Sequence, residues 1–168
     1  PQSGRFRQFV QFGAEVLGTA EPSIDAEVIA LVDDFLRSLG IRHFRLELNS
    51  LGCPECRPKH REALLDHLRP VRESLCSDCQ SRLERNPLRI LDCKNERCQQ
   101  LTVDTPSILD HLCDRCADHF MNVRRFLDQL GITYTVNPRM VRGLDYYTQT
   151  AFEFITESVG AVGTIAAG

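Results

Sequence analysis

The 168-residue sequence contains no tryptophan and only two methionines, and of its 20 cationic residues only Lys59 and Lys94 are lysines, the rest being arginines. No apolar run approaches the roughly 20 residues that a membrane-spanning helix requires. The opening residues, PQSGRFRQFV, carry no methionine and no basic stretch followed by an apolar one. They are therefore expected to be the interior of a longer chain and not a secretory signal. A net charge of −3, from 20 basic and 23 acidic residues, supplies no broad positive field for non-specific nucleic-acid binding, although a local surface can still serve. Arginine forks suit phosphate and carboxylate groups, with biased codon usage as the plain alternative. Apolar residues at 42% and charged residues at 26% exclude a disordered or fibrous chain, and the length fits one domain or a small domain carrying an insertion.

What the chain does have is cysteine. All eight lie between positions 53 and 116, as Cys53 and Cys56, Cys76 and Cys79, Cys93 and Cys98, and Cys113 and Cys116. Three pairs are CxxC and one is CxxxxC. A disulfide framework could use eight cysteines, but nothing else points to secretion, and in a reducing compartment such clusters hold metal. A thiolate pair two residues apart can fill two corners of a zinc tetrahedron, so four pairs make two closed, structural four-thiolate sites. The four pairs can be joined in three ways, among which spacing does not choose. Iron–sulfur ligation and unmetallated, buried thiols are the alternatives. An insertion of this size buries too little apolar surface to be comfortably stable, so metal clips have a physical motive.

The pattern around these cysteines changes twice. Phe6, Val10, Phe12, Ala14 and Val16 alternate with Arg5, Arg7, Gln11 and Glu15, which predicts a strand with a polar face; a solvated sheet face is the simpler account of it. Ile24, Val28, Leu31, Val32, Phe35 and Leu39 predict a helix over 23–39, capped by Ser23 and ended by Gly40. Phe44, Leu46 and Leu48 predict a second strand. From 53 to 131 the pattern is helical, including one long helix over 106–130 with Thr105 as cap, Pro106 at its first position and Cys113 and Cys116 within it. Strand character returns at Tyr134 and Val136 and again along 146–155. The expectation is an α+β fold in three parts: 1–52 with strand, helix and strand, a Cys-rich helical insertion over 53–131, and 132–168 returning to the same mixed sheet.

Two segments carry a family resemblance. Residues 141–154 read VRGLDYYTQTAFEF and residues 4–18 read GRFRQFVQFGAEVLG, with LELNSLG, NPLRILDCKN and PSILDHL between them. Together, in this order, they resemble the catalytic core of histidyl-tRNA synthetase, a class II aminoacyl-tRNA synthetase, over essentially the whole chain. The resemblance implies part of that class's antiparallel sheet with a flanking helix, interrupted by the helical insertion that closes over the tRNA acceptor stem. It implies activation of histidine with Mg-ATP to histidyl-adenylate and transfer to tRNA(His), in a cytoplasmic, homodimeric parent enzyme.

The same resemblance implies roles for single residues. Arg142, in the RGLDYY run, would contact the α-phosphate and the histidine carboxylate as the catalytic group. Gln11 would bind the substrate α-amino group, and Glu15 would accept a hydrogen bond from the imidazole. Tyr147 would contact that ring from the other side, with Tyr146 nearby, and Arg5 could contact ATP phosphates. Many similar proteins lack the cysteines, so metal is not required by the chemistry. Family motifs expected before and after these residues are missing, so the chain alone is expected to be inactive. Two alternatives compete with this resemblance. A catalytically silent paralogue that regulates histidine biosynthesis generally lacks the insertion and an intact RGLDYY. A zinc-ribbon-like nucleic-acid-binding module leaves RGLDYY unexplained.

Overall fold

The computed structural model describes residues 8–142, 146–156 and 163–168. The chain divides into two compact units: Pro1–Leu48, Asp118–Val136 and Phe152–Gly168 form the first, Asn49–Ala117 and Asn137–Ala151 the second. The sequence pattern predicts boundaries at 52/53 and 131/132 instead.

In the first unit, helix α1 runs over Pro22–Ser38. Pro22 starts it, because a proline at the first helical position lacks only an N–H that would have no intrahelical partner. Glu21 occupies the cap position without a side-chain bond, so the expected Ser23 cap is not used. Gly40, at φ +81°, ends it: its N–H donates to Arg37 O at 2.9 Å and the Ile41 N–H donates to Leu36 O at 3.0 Å. These bonds satisfy carbonyls the helix leaves open.

The buried face of α1 differs from the expected stripe. Ala26, Ile29, Asp33 and Leu36 are buried, whereas Leu31, Phe35 and Leu39 are exposed. The face is turned by about one residue, or ~100°. Asp33 permits this, because Arg37 donates to its carboxylate at 2.6 and 3.1 Å and pairs its charge. Phe35 instead meets the Phe12 ring edge-on at 5.0 Å.

The expected opening strand is not formed in the described part of its span. Phe9, Val10 and Phe12 are 71%, 97% and 79% exposed. Residues 9–17 belong to no strand. Alternation becomes a strand only where a neighbour supplies ladder hydrogen bonds and a face to cover, and among the described residues none pairs with this segment.

The sheet has the order β2-β1-β3-β4, with β1 at Arg45–Ser50, β2 at Thr135–Val136, β3 at Thr150–Ile155 and β4 at Thr164–Ala167. β1 and β2 are parallel, with Leu48 opposite Val136, and β3 and β4 are antiparallel, with Phe154 opposite Ala166. This is the expected mixed sheet. Leu46, Leu48 and Phe154 point into the core, and Phe44 packs edge-on against Phe154 at 5.4 Å. Helix α5, over Asp114–Gln129, buries Phe120, Val123 and Leu127 at helical spacing. Each such burial contributes about 1.5–3 kcal/mol.

The second unit is built from short helices: α2 at Cys56–Leu68, α3 at Ser77–Arg85 and α4 at Glu96–Leu101, with 3-10 turns at Arg69–Ser74, Pro87–Ile90 and Ile108–His111. Its core joins Leu64, Leu68, Leu75, Leu83 and Ile90 to Cys79, Cys93 and Cys98. The single long helix expected over 106–130 is broken. Ser107 Oγ accepts from the Leu109 N–H at 3.1 Å, Leu112 is extended at ψ 140°, and α5 starts only at Asp114. The break frees the Cys113 N–H to donate to Cys56 Sγ at 3.1 Å. A sulfur contact thus replaces a turn of helix.

Candidate functional site

The fold selects one of the three ways of joining the cysteine pairs. Cys53, Cys56, Cys113 and Cys116 form one cluster and Cys76, Cys79, Cys93 and Cys98 the other, with all four sulfurs of each cluster within 4.8 Å of one another. The separations Cys53–Cys56 at 3.5 Å, Cys53–Cys113 at 3.8 Å and Cys76–Cys93 at 3.9 Å match the edge of about 3.8 Å that a tetrahedron with zinc–sulfur bonds of about 2.3 Å has. Both donor sets could hold a metal ion.

Helix starts and backbone amides hold the sulfurs. Cys56 opens α2, Cys79 lies in the first turn of α3, and Cys76 is the α3 cap residue. The Cys76 N–H donates to Cys98 Sγ at 3.2 Å. Asn95 caps α4 by accepting from the Cys98 N–H at 3.2 Å, and its own N–H donates to Cys93 Sγ at 3.5 Å. Donated N–H groups and helix N-termini stabilise thiolate.

Cys53 in the first cluster and Cys76 in the second are easily ionised. The Glu55 backbone N–H is foremost in lowering Cys53 to about 6, and that of Cys79 in lowering Cys76 to about 7. Burial pushes Cys79, Cys98 and Cys116 upward. The exposed Arg115 guanidinium hydrogen-bonds the Cys53 sulfur, which raises its own pKa in turn. Four thiolates held this close, three of them buried in each cluster, would repel one another unless a cation offset their charge. A dication could supply that offset at either cluster.

Sequence reasoning missed Gly52. It sits at φ +63°, and a Cβ there would lie 2.7 Å from Cys56 Cβ and 3.4 Å from Cys56 Sγ. The glycine immediately before a CxxC was the available signal.

The residues singled out by resemblance fall in both units. Gln11 and Glu15 lie on the exposed, unpaired opening segment of the first unit. Arg142, Tyr146 and Tyr147 belong to the second. Within it, the half-buried Arg142 guanidinium lies over the Tyr147 ring, 5.7 Å from its centre, and the two tyrosine rings meet edge-on at 5.2 Å. Tyr146 is exposed. Arg5, Phe6 and Arg7, and the Gly143–Asp145 part of RGLDYY, lie outside the described residues.

Two clefts of the second unit were not anticipated. One, of about 60 Å³, is lined by Asn49, Arg57, His60, Arg89, Met140 and Arg142, among others. Its His60 is buried; the ring Nε2 donates to Pro106 O at 2.9 Å, and burial, the larger influence, lowers its pKa. The other, a groove of about 570 Å³, carries Arg57, Arg61, Arg69 and Arg85 against a single acidic residue, Glu62. Arg57, Asn86 and Leu88 line both. Among the described residues, no helix is long and apolar enough to cross a membrane.

Known proteins resemble this chain throughout. The family described as "Histidyl-tRNA synthetase" matches residues 1–56. A histidine–tRNA ligase of Desulfitobacterium hafniense is 55% identical over 168 residues, covering 100% of this chain and 40% of the relative. One from Maridesulfovibrio salexigens is 52% identical over 169 residues, covering 100% of this chain and 41% of the relative. The crystal structure of apo S. aureus histidyl-tRNA synthetase matches with a TM-score of 0.65 at 41% identity, over 89% of this chain and 35% of that one. The chain thus spans about two fifths of the length of the curated relatives it matches. Identity along its whole length, the family match at its start and the architecture shared with a solved synthetase together make the chain similar, from end to end, to one part of the histidyl-tRNA synthetases.

Proposed function

We propose that the chain is the part of a histidine–tRNA ligase that carries the RGLDYY segment and a zinc-clipped insertion, and that the complete cytoplasmic enzyme, a homodimer, activates histidine with Mg-ATP and esterifies tRNA(His). The observation that carries this is the Arg142 guanidinium seated over the Tyr147 ring, which Tyr146 meets edge-on: a permanent cation held over one of two packed tyrosines. Adenylate formation develops charge on the α-phosphate, and a pre-positioned arginine fork can offset it without reorganising at the moment of reaction. Gln11 and Glu15 supply the amide and the carboxylate for the amino acid, and Arg5 a contact to ATP phosphates. Replacing Arg142 with Ala in the complete protein is expected to lower histidine-dependent ATP–pyrophosphate exchange about 100- to 1,000-fold. Undiminished exchange would refute the assignment. The 168-residue chain by itself is expected to show no exchange.

Zinc is the metal that four closed thiolates favour. When bound, it supplies charge compensation and cross-linking and no open coordination position. The four-arginine groove offers the insertion a local binding surface for phosphates of the tRNA acceptor stem within a chain of net charge −3. Replacing Arg61 and Arg85 together should weaken tRNA binding and flatten its salt dependence by about two charges, leaving histidine activation intact.

A further inference from the structure

Asn137–Met140, just before Arg142, forms a turn clamped from two sides. The Met140 N–H donates to Asn137 O at 3.0 Å and the Arg139 N–H to Asn137 Oδ1 at 3.0 Å. On one side, the buried Asn49 amide donates to Pro138 O at 3.3 Å and to Met140 O at 2.9 Å. On the other, the Arg139 guanidinium reaches into the insertion. It donates to Thr102 O, to Thr102 Oγ1 at 2.6 Å and to Leu91 O at 3.4 Å.

These acceptors belong to the second cysteine cluster's own framework. Thr102, 0% exposed, follows α4, and its hydroxyl donates to Cys98 O at 2.9 Å. Leu91 lies two residues before Cys93, whose N–H donates to Ile90 O at 3.1 Å. Arg139 is therefore a rigid link between the loops bearing Cys93 and Cys98 and the turn that leads into Arg142. Arg89 and Leu91 line the small cleft together with Met140, Val141 and Arg142, so the linked parts face one space.

We infer that Arg139 is a positioning residue. It fixes the backbone that delivers Arg142 by tying it to the Cys76/Cys79/Cys93/Cys98 cluster, so that order in this cluster is transmitted to the arginine. Its contribution to catalysis rests on the synthetase reading of Arg142; the tie itself does not. Three acceptors at fixed angles suit a guanidinium fork and not a point-charge ammonium. Displacement by an ångström is enough to cost about a hundredfold in rate.

The test compares Arg139→Gln and Arg139→Lys in the complete protein. Both variants are expected to retain the metal content of the parent, read by elemental analysis. Amide hydrogen exchange at Arg139 and Met140 should quicken about tenfold or more in both variants, without a matching change at Leu46–Leu48. Histidine-dependent pyrophosphate exchange should lose about a hundredfold in kcat with little change in KM. Unchanged amide exchange would overturn the tie, and so would a loss of order spread equally over both units. Quickened exchange with kcat intact would overturn the positioning role. A parent protein with no pyrophosphate exchange would instead defeat the synthetase reading, and the tie would then stand or fall on the amide data alone.

Discussion

The two cysteine clusters use the same donors to solve different problems. In the first, Cys53 and Cys113 face each other across a sequence separation of 60; in the second, Cys76 and Cys93 are separated by 17. Closing the longer loop costs about 1 kcal/mol more chain entropy, and its contacts are correspondingly more consequential. The first cluster gathers the start of α2 and the residue before α5 around a small core of Ile108 with Leu109 and Leu112 at its edge. The second is embedded in the larger leucine core of its unit. One cluster closes the insertion's ends; the other completes its interior. Metal can thus serve as a long-range fastener in one place and as core volume in another.

Breaking the first cluster should have the largest effect. Cys113→Ser is expected to release one metal per chain and to destabilise the insertion by several kcal/mol, because structural metal binding is folding free energy. Hydrogen exchange should rise across 53–116 while Leu46, Leu48 and Phe154 stay protected; equal loss in both regions would contradict this. Cys93→Ser should also release one metal, yet shift the unfolding midpoint less, since the leucine core around it persists and the shorter loop returns less entropy. Thermal unfolding of the two variants side by side would reverse the comparison if Cys93→Ser proved the more damaging.

A subtler break acts without removing a ligand. Gly52→Ala places a Cβ at 2.7 Å from Cys56 Cβ with the backbone at φ +63°. It should destabilise by about 1–2 kcal/mol from the backbone alone and loosen metal at the first cluster only. A competition titration with a chelator would detect one weakened site against one unchanged.

The smallest expected effect is a pH dependence from His60. Burial lowers its pKa from the ordinary 6.5, so on acidification the unfolded chain takes up a proton before the folded one. The neutral imidazole's contribution is present in full above the ordinary pKa. Stability should fall as pH drops through it towards the lower folded-state value. Urea midpoints measured from about pH 7.5 to about pH 5.5 should decline, and His60→Gln should reduce the slope. An unaltered slope would show that other groups are responsible.

What the sequence revealed depended on how local the physics was. Gly40 stops α1, and Leu46 and Leu48 face the core of β1, because a turn and an alternation are written in adjacent residues. Eight paired cysteines announced two sites, but identical spacings could not say which pairs meet; folding the loops between them did. The opening alternation forms no strand in its described part, because nothing among the described residues pairs with it. The long helix failed because Cys113 gains more from Cys56 and its cluster than from another helical turn. Arg139 carried no motif, since its acceptors, Leu91 and Thr102, are 48 and 37 residues away.

The most direct measurement is X-ray absorption at the metal edge, with elemental analysis, on freshly purified protein and its Cys113→Ser variant. The account predicts two zinc ions per chain, each with four sulfur neighbours at about 2.3 Å, and one such ion in the variant. Fewer than two ions in the parent, nitrogen or oxygen in the coordination shell, or iron in place of zinc would contradict it.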